Sequence, residues 1–149
     1  LTETFAIHEY LALKYQPDLA GETAEEIGDL SMIAPNVFSY LVAITMPMYM
    51  QDVMAVVVQA IQKAAPTIVD YLGNKKFLCG DKPKWVDFVF FEMVMKSEWA
   101  YPGLYQEFPV LRVYRDTIKS LPGLKEYLND PNCRENKYKF NNVLAKINN

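Results

Sequence analysis

Phe77-Leu78-Cys79-Gly80-Asp81-Lys82-Pro83-Lys84-Trp85-Val86-Asp87-Phe88 decides the fold of this chain. A short loop ending at Lys84 opens into residues 85–95, which carry Phe88, Val89, Phe91 and Met95 and are apolar over most of a helical circumference. A helix of that kind is a central, buried one. The rest of the chain must pack around it.

Upstream, Met54, Val57, Val58, Ile61, Ile68 and Leu72 share one helical face, predicting a helix over 51–71 that Pro66 kinks. Gly73 stands where a C-cap glycine belongs, and Lys75 and Lys76 suit the negative end of the helix dipole. Further back, Thr23-x-x-Glu26 forms a capping box: the hydroxyl accepts from the Glu26 amide while the carboxylate reaches back. A helix therefore starts there, and Pro35 and Pro47 are expected to disturb it, since each lacks an amide donor. Residues 4–14, with Phe5, Ile7, Leu11 and Leu13, read as a short amphipathic helix, and 15–21, with Pro17, as a linker.

Downstream, two short helices are expected around 110–118 and 124–128, punctuated by Pro109 and Pro122. The polar, asparagine-rich tail 129–149 is expected to lie over the body of the domain as an irregular segment with one helical turn. No repeat and no alternating strand pattern occurs. The predicted fold class is all-α.

With 149 residues, 51% of them hydrophobic, the chain can bury one substantial core. A net charge of -3 argues against a nucleic-acid binder, which needs a basic stripe to neutralise phosphates. The longest apolar run, 37–50, is interrupted by Ser39, Thr45 and Pro47 and falls short of the ~18 residues that suggest a membrane span. Cys79, Cys133 and the lone His8 form no metal-ligand pattern, so no metal is expected, and the cysteines read as free thiols of a reducing compartment. The sequence opens on Leu1 and not on methionine, so it reads as part of a longer chain.

Phe77-x-x-Gly80-Asp81 with Asp87 resembles the glutathione transferase signature, aromatic-x-x-Gly-Asp-x-x-(Ser/Thr)-x-x-Asp, which opens the central helix of that family's C-terminal domain. Lys84 stands in place of the Ser or Thr and cannot accept a hydrogen bond, a loss worth ~1 kcal/mol. Asp81, with Pro83 in the first turn, is expected to take over part of the capping beside Asp87. Three more stretches resemble the family in order and spacing. Leu1-Thr2-Glu3-Thr4-Phe5-Ala6-Ile7 is similar to the opening of the third helix of the thioredoxin-like domain. Gly21-Glu22-Thr23 with Glu25-Glu26 is similar to the start of the long fourth helix of mu-class enzymes. Phe108-Pro109-x-Leu111 and Leu121-Pro122-Gly123-Leu124 are similar to the two late helices.

The resemblance, closest to the mu class, implies two parts: 1–15 as a remnant of the thioredoxin-like domain and 16–149 as the all-helical C-terminal domain. It implies a cytoplasmic transferase conjugating glutathione, a co-substrate, to hydrophobic electrophiles, with no metal or other cofactor and a homodimer or other protein subunits as partners. The thiol-activating Tyr or Ser is expected upstream of Leu1, so no catalytic residue is assigned, and the segment alone is expected to be inactive. Glu3 and Thr4 correspond to the pair that holds the γ-glutamyl group; a threonine capping the helix is the other reading, and both can hold. Tyr49 corresponds to a tyrosine directed at the electrophile, where a hydroxyl stabilises developing charge. Phe38, Val42 and Thr45 share its side of the helix, either as pocket wall or as core. Ser39 replaces an aspartate that reaches the partner subunit's glutathione site, and Glu9 replaces a basic residue. Those departures leave a second reading, a non-catalytic module serving assembly in a larger complex.

Overall fold

The computed structural model describes residues 2–50 and 54–133. Among them, seven α-helices follow one another: α1 Thr4–Tyr15, α2 Ala24–Met50, α3 Met54–Leu72, α4 Trp85–Ala100, α5 Leu104–Glu107, α6 Pro109–Lys119 and α7 Leu124–Asn129. An isolated antiparallel bridge joins Phe77 to Gly80, and no strand forms among the described residues. The expected all-α architecture is the one adopted. The expectation for the tail falls, from residue 134 on, outside the described residues.

The buried helix predicted over 85–95 is α4, one turn longer than expected. It packs against α2, α3 and α6. Phe90 at its middle is buried, with the Tyr40 ring 5.7 Å and the Tyr114 ring 5.3 Å from its own, centroid to centroid. Burying one such side chain stabilises by roughly 1.5–3 kcal/mol. Tyr40 also meets Ser97 inside the core, hydroxyl to hydroxyl at 2.6 Å, and the Ser97 hydroxyl donates to the Met93 carbonyl at 2.8 Å. Two polar groups are thereby satisfied where water does not reach.

Pro35 and Pro47 do not break α2, which runs without interruption through both. Each proline costs ~3 kcal/mol in a helix interior. Leu30, Ile33, Val37, Tyr40, Ile44 and Met48 are buried along one side of α2, and together contribute on the order of 10 kcal/mol. Packing outweighs propensity. α3 likewise continues through Pro66, but its buried face is Val57, Ile61, Ala65, Ile68 and Leu72. Met54, predicted on that face, is exposed at the helix start, and Val58 is half-buried. Gly73 ends α3 at φ +50°, its amide bonded to the Val69 carbonyl at 2.9 Å.

Two more expectations change. The linker at 15–21 contains a 3-10 turn, Pro17–Ala20, which starts on Pro17 because a fixed φ near -65° suits the first position. And α2 is long and apolar enough, by length and composition, to cross a membrane: an 18-residue stretch within Ala24–Tyr49 has a mean hydropathy of 1.4. Ser39, Thr45 and Pro47 interrupt the run but leave its average high enough, and the buried stripe of α2 lies against α3 and α4.

Candidate functional site

The start of α4 is held by several buried hydrogen bonds. Asp87 Oδ2 accepts the Lys84 amide at 2.8 Å, and Oδ1 accepts the Leu78 amide and the Tyr114 hydroxyl, each at 2.8 Å. The Phe77–Gly80 bridge (2.9 and 3.1 Å) folds the loop so that the Leu78 amide reaches this carboxylate. Burial pushes the Asp87 carboxyl above its ordinary range, and the three donors only partly offset that. Lys84 is itself the N-cap residue and, as expected of its side chain, receives no cap bond. Pro83 therefore lies outside the helix, Asp81 stands exposed in the loop, and the capping falls to Asp87.

Lys84 does something the signature position does not suggest. Its side chain is fully buried, and its Nζ donates to the Asp18 carbonyl at 2.9 Å and to Glu26 Oε2 at 2.8 Å. One ammonium thus joins α4 to the 3-10 turn and to the start of α2. Glu26 works in two directions: its amide donates to Thr23 Oγ1 at 3.2 Å, while Oε2 accepts the Glu22 amide at 2.7 Å. The return bond of the predicted box lands one residue before Thr23, and the carboxylate also answers Lys84. That bond is the first cause holding the Glu26 carboxyl below its ordinary value.

Next to this hub, α1 and α2 enclose a cleft of about 490 Å³. Phe5 stands edge-on to Phe38 (5.4 Å, 75°) and to Trp85 (5.2 Å, 63°), and all three rings line the cleft. Glu9 and Ser31 supply polar side chains to it; Ala34 and Pro35 complete the α2 wall. Phe5 and Trp85 were legible as apolar helix residues, not as cleft residues. Nothing in their spacing brings residues 80 positions apart together.

Of the residues assigned to the glutathione or electrophile site, Phe38 alone lines this cleft, 45% exposed; Glu9, noted as a departure from the family, lines it too. Phe38, Val42, Thr45 and Tyr49 follow at i, i+4, i+7 and i+11 along α2, passing from exposed to half-buried. Thr45 bonds its own helix, Oγ1 to the Leu41 carbonyl at 2.6 Å, and Tyr49 packs against the core. Glu3 is the N-cap residue of α1 without a side-chain cap bond, so neither Thr2 nor Thr4 caps that helix. Thr4 is exposed, and its carbonyl lies 2.7 Å from His8 Nδ1. Ser39 donates to the Pro35 carbonyl at 2.9 Å and lines a separate groove between α2 and α3. Cys79, half-buried beside Asp87, has its thiol pushed up to about 12 by burial. Among the described residues no group of three or more His, Cys, Asp or Glu side chains could hold a metal ion.

Comparison with known proteins agrees with the all-α fold. The family model for the glutathione S-transferase C-terminal domain matches residues 32–131. The class-mu 26 kDa isozyme 7 of Fasciola hepatica is 26% identical over 131 residues, covering 86% of this chain and 59% of that protein. Glutathione S-transferase Mu 1 of Bos taurus is 27% identical, covering 85% of this chain and 57% of its own length. The chain thus spans about three-fifths of these relatives. A solved structure of the pi-class enzyme of Onchocerca volvulus superposes with a TM-score of 0.74 at 26% identity, over 86% of this chain and 64% of that one. A match over 32–131, on a helical bundle with a carboxylate-capped central helix, places the chain in the glutathione S-transferase C-terminal domain family.

Proposed function

We propose that this chain is the helical part of a mu-like glutathione transferase that conjugates glutathione to hydrophobic electrophiles. The observation that carries the proposal is the family match over 32–131, which contains Phe38, Val42, Thr45 and Tyr49. In this reading glutathione is the co-substrate and no metal takes part. The thiolate attacks an electrophilic carbon, a sulfur–carbon bond forms, and the displaced group leaves with the electron pair. The α2 stripe from Phe38 to Tyr49 walls the electrophile, and the Tyr49 hydroxyl donates to charge developing on it. Glu3 and Thr4 form one edge of the glutathione site, as the last helix of a thioredoxin-like unit over 1–15. The group that activates the thiol belongs to a segment outside this sequence, so residues 1–149 by themselves are inactive. The protein works in the cytoplasm as a homodimer.

Retention of the full-length protein on immobilised glutathione tests this. Retention should fall several-fold in Thr4→Ala; unchanged retention removes Thr4 from the site, and no retention of the parent protein removes the function. A non-catalytic assembly module is the second reading. It is favoured by Ser39, whose hydroxyl turns back to its own helix and offers no carboxylate to a partner.

A further inference from the structure

The cleft between α1 and α2 has an unusual balance of chemistry. Three of its lining side chains are aromatic, Phe5, Phe38 and Trp85, clustered through Phe5, and Ile27, Leu30, Ala34 and Pro35 add an aliphatic wall. Its one ionisable lining side chain is Glu9, an exposed carboxylate with no salt-bridge partner among the described residues. Ser31 is the remaining polar lining side chain, and no lysine or arginine faces the space. At about 490 Å³ the cleft suits a molecule of one or two rings.

Aromatic faces attract cations through their quadrupoles, and the attraction grows where the cation is shielded from water. An anion would meet the same faces and a carboxylate of like sign, so both features discriminate in one direction. From this charge complementarity we infer that the cleft binds small hydrophobic organic cations: an aromatic or aliphatic group carrying a tertiary or quaternary ammonium. The apolar part lies against Trp85 and Phe5, and the ammonium lies over Phe38 within reach of Glu9. The inference goes beyond the proposed function: of the four residues proposed to wall the electrophile only Phe38 lines this cleft, and the binding requires no glutathione.

The test is a calorimetric titration of the full-length protein with benzyltrimethylammonium, with phenylacetate and benzyl alcohol as anionic and neutral partners of similar size, all without glutathione. The cation should bind at least about threefold more tightly than either partner, and more weakly as salt is raised. Glu9→Gln removes the charge at an exposed position with little effect on folding. It should weaken the cation about threefold and leave benzyl alcohol unchanged. Phe38→Ala, also at an exposed position, should weaken the cation as well. Equal affinity for phenylacetate and the cation, or a cation affinity unmoved by Glu9→Gln, overturns the inference. A protein that binds the cation as described but conjugates no electrophile overturns the transferase reading and leaves the binding site standing.

Discussion

The Lys84 ammonium, fully buried, lies 2.8 Å from the Glu26 carboxylate, whose side chain keeps a quarter of its surface in water. The two ends of this pair are not equivalent. Removing Glu26 strands a buried charge, whereas replacing Lys84 by an apolar residue of similar length leaves a carboxylate that water can still reach. Glu26→Ala should therefore lower the melting temperature more than Lys84→Met does. Thermal denaturation of both variants checks this, and the reverse order would mean that the bridge does not hold the helices.

The same pair sets an acid limit. The folded pKa of Glu26 lies below its ordinary value of 4.5, first through Lys84 and then through the Glu22 amide. A carboxyl depressed on folding contributes stability that is present above the unfolded pKa and is lost as pH falls through the folded one. Asp87, raised by burial, acts with the opposite sign: its contribution is present at low pH and is lost as pH rises through its folded value. Between about pH 6 and about pH 3 the loss of stability on acidification should be shallower in Glu26→Gln than in the parent protein. Equal slopes would contradict the assignment.

Asp87 faces three donors and needs an acceptor on both oxygens. Asp87→Asn keeps the shape but turns an amide N–H toward one of them. It should cost about 2 kcal/mol, or roughly 6 °C in melting temperature for a domain of this size. A variant as stable as the parent would show that the α4 start is held by something else.

Cys79, with its thiol pushed up to about 12, is nearly all protonated at neutral pH. Its alkylation by iodoacetamide at about pH 7 should run at least ~10-fold slower than that of free cysteine and accelerate on unfolding. A folded-state rate matching free cysteine would contradict the burial.

The order of the helices other than α5 was legible because the patterns behind it are local; the single turn Leu104–Glu107 was not read. Trp85 to Met95 could only be a central helix, Thr23 and Glu26 marked the start of α2, and Gly73 marked the end of α3. What was not legible depends on partners distant in sequence. Lys84 looked like a lost cap because its partners, Asp18 and Glu26, lie 66 and 58 residues away. Pro35 and Pro47 were expected to disturb α2 because the burial that holds it together belongs to α3 and α4 as well. The candidate site was legible in part: Phe38 was named, but Phe5 and Trp85 join it only through the packing of α1 on α4.

The central claim, that this chain forms the electrophile wall of a glutathione transferase, is tested most directly by the conjugation rate of the full-length protein with an aromatic electrophile. The rate should depend on glutathione, and kcat/KM for the electrophile should fall about tenfold in Tyr49→Phe, with KM for glutathione little changed. Glutathione-independent turnover or none, or a Tyr49→Phe rate equal to that of the parent protein, would contradict it.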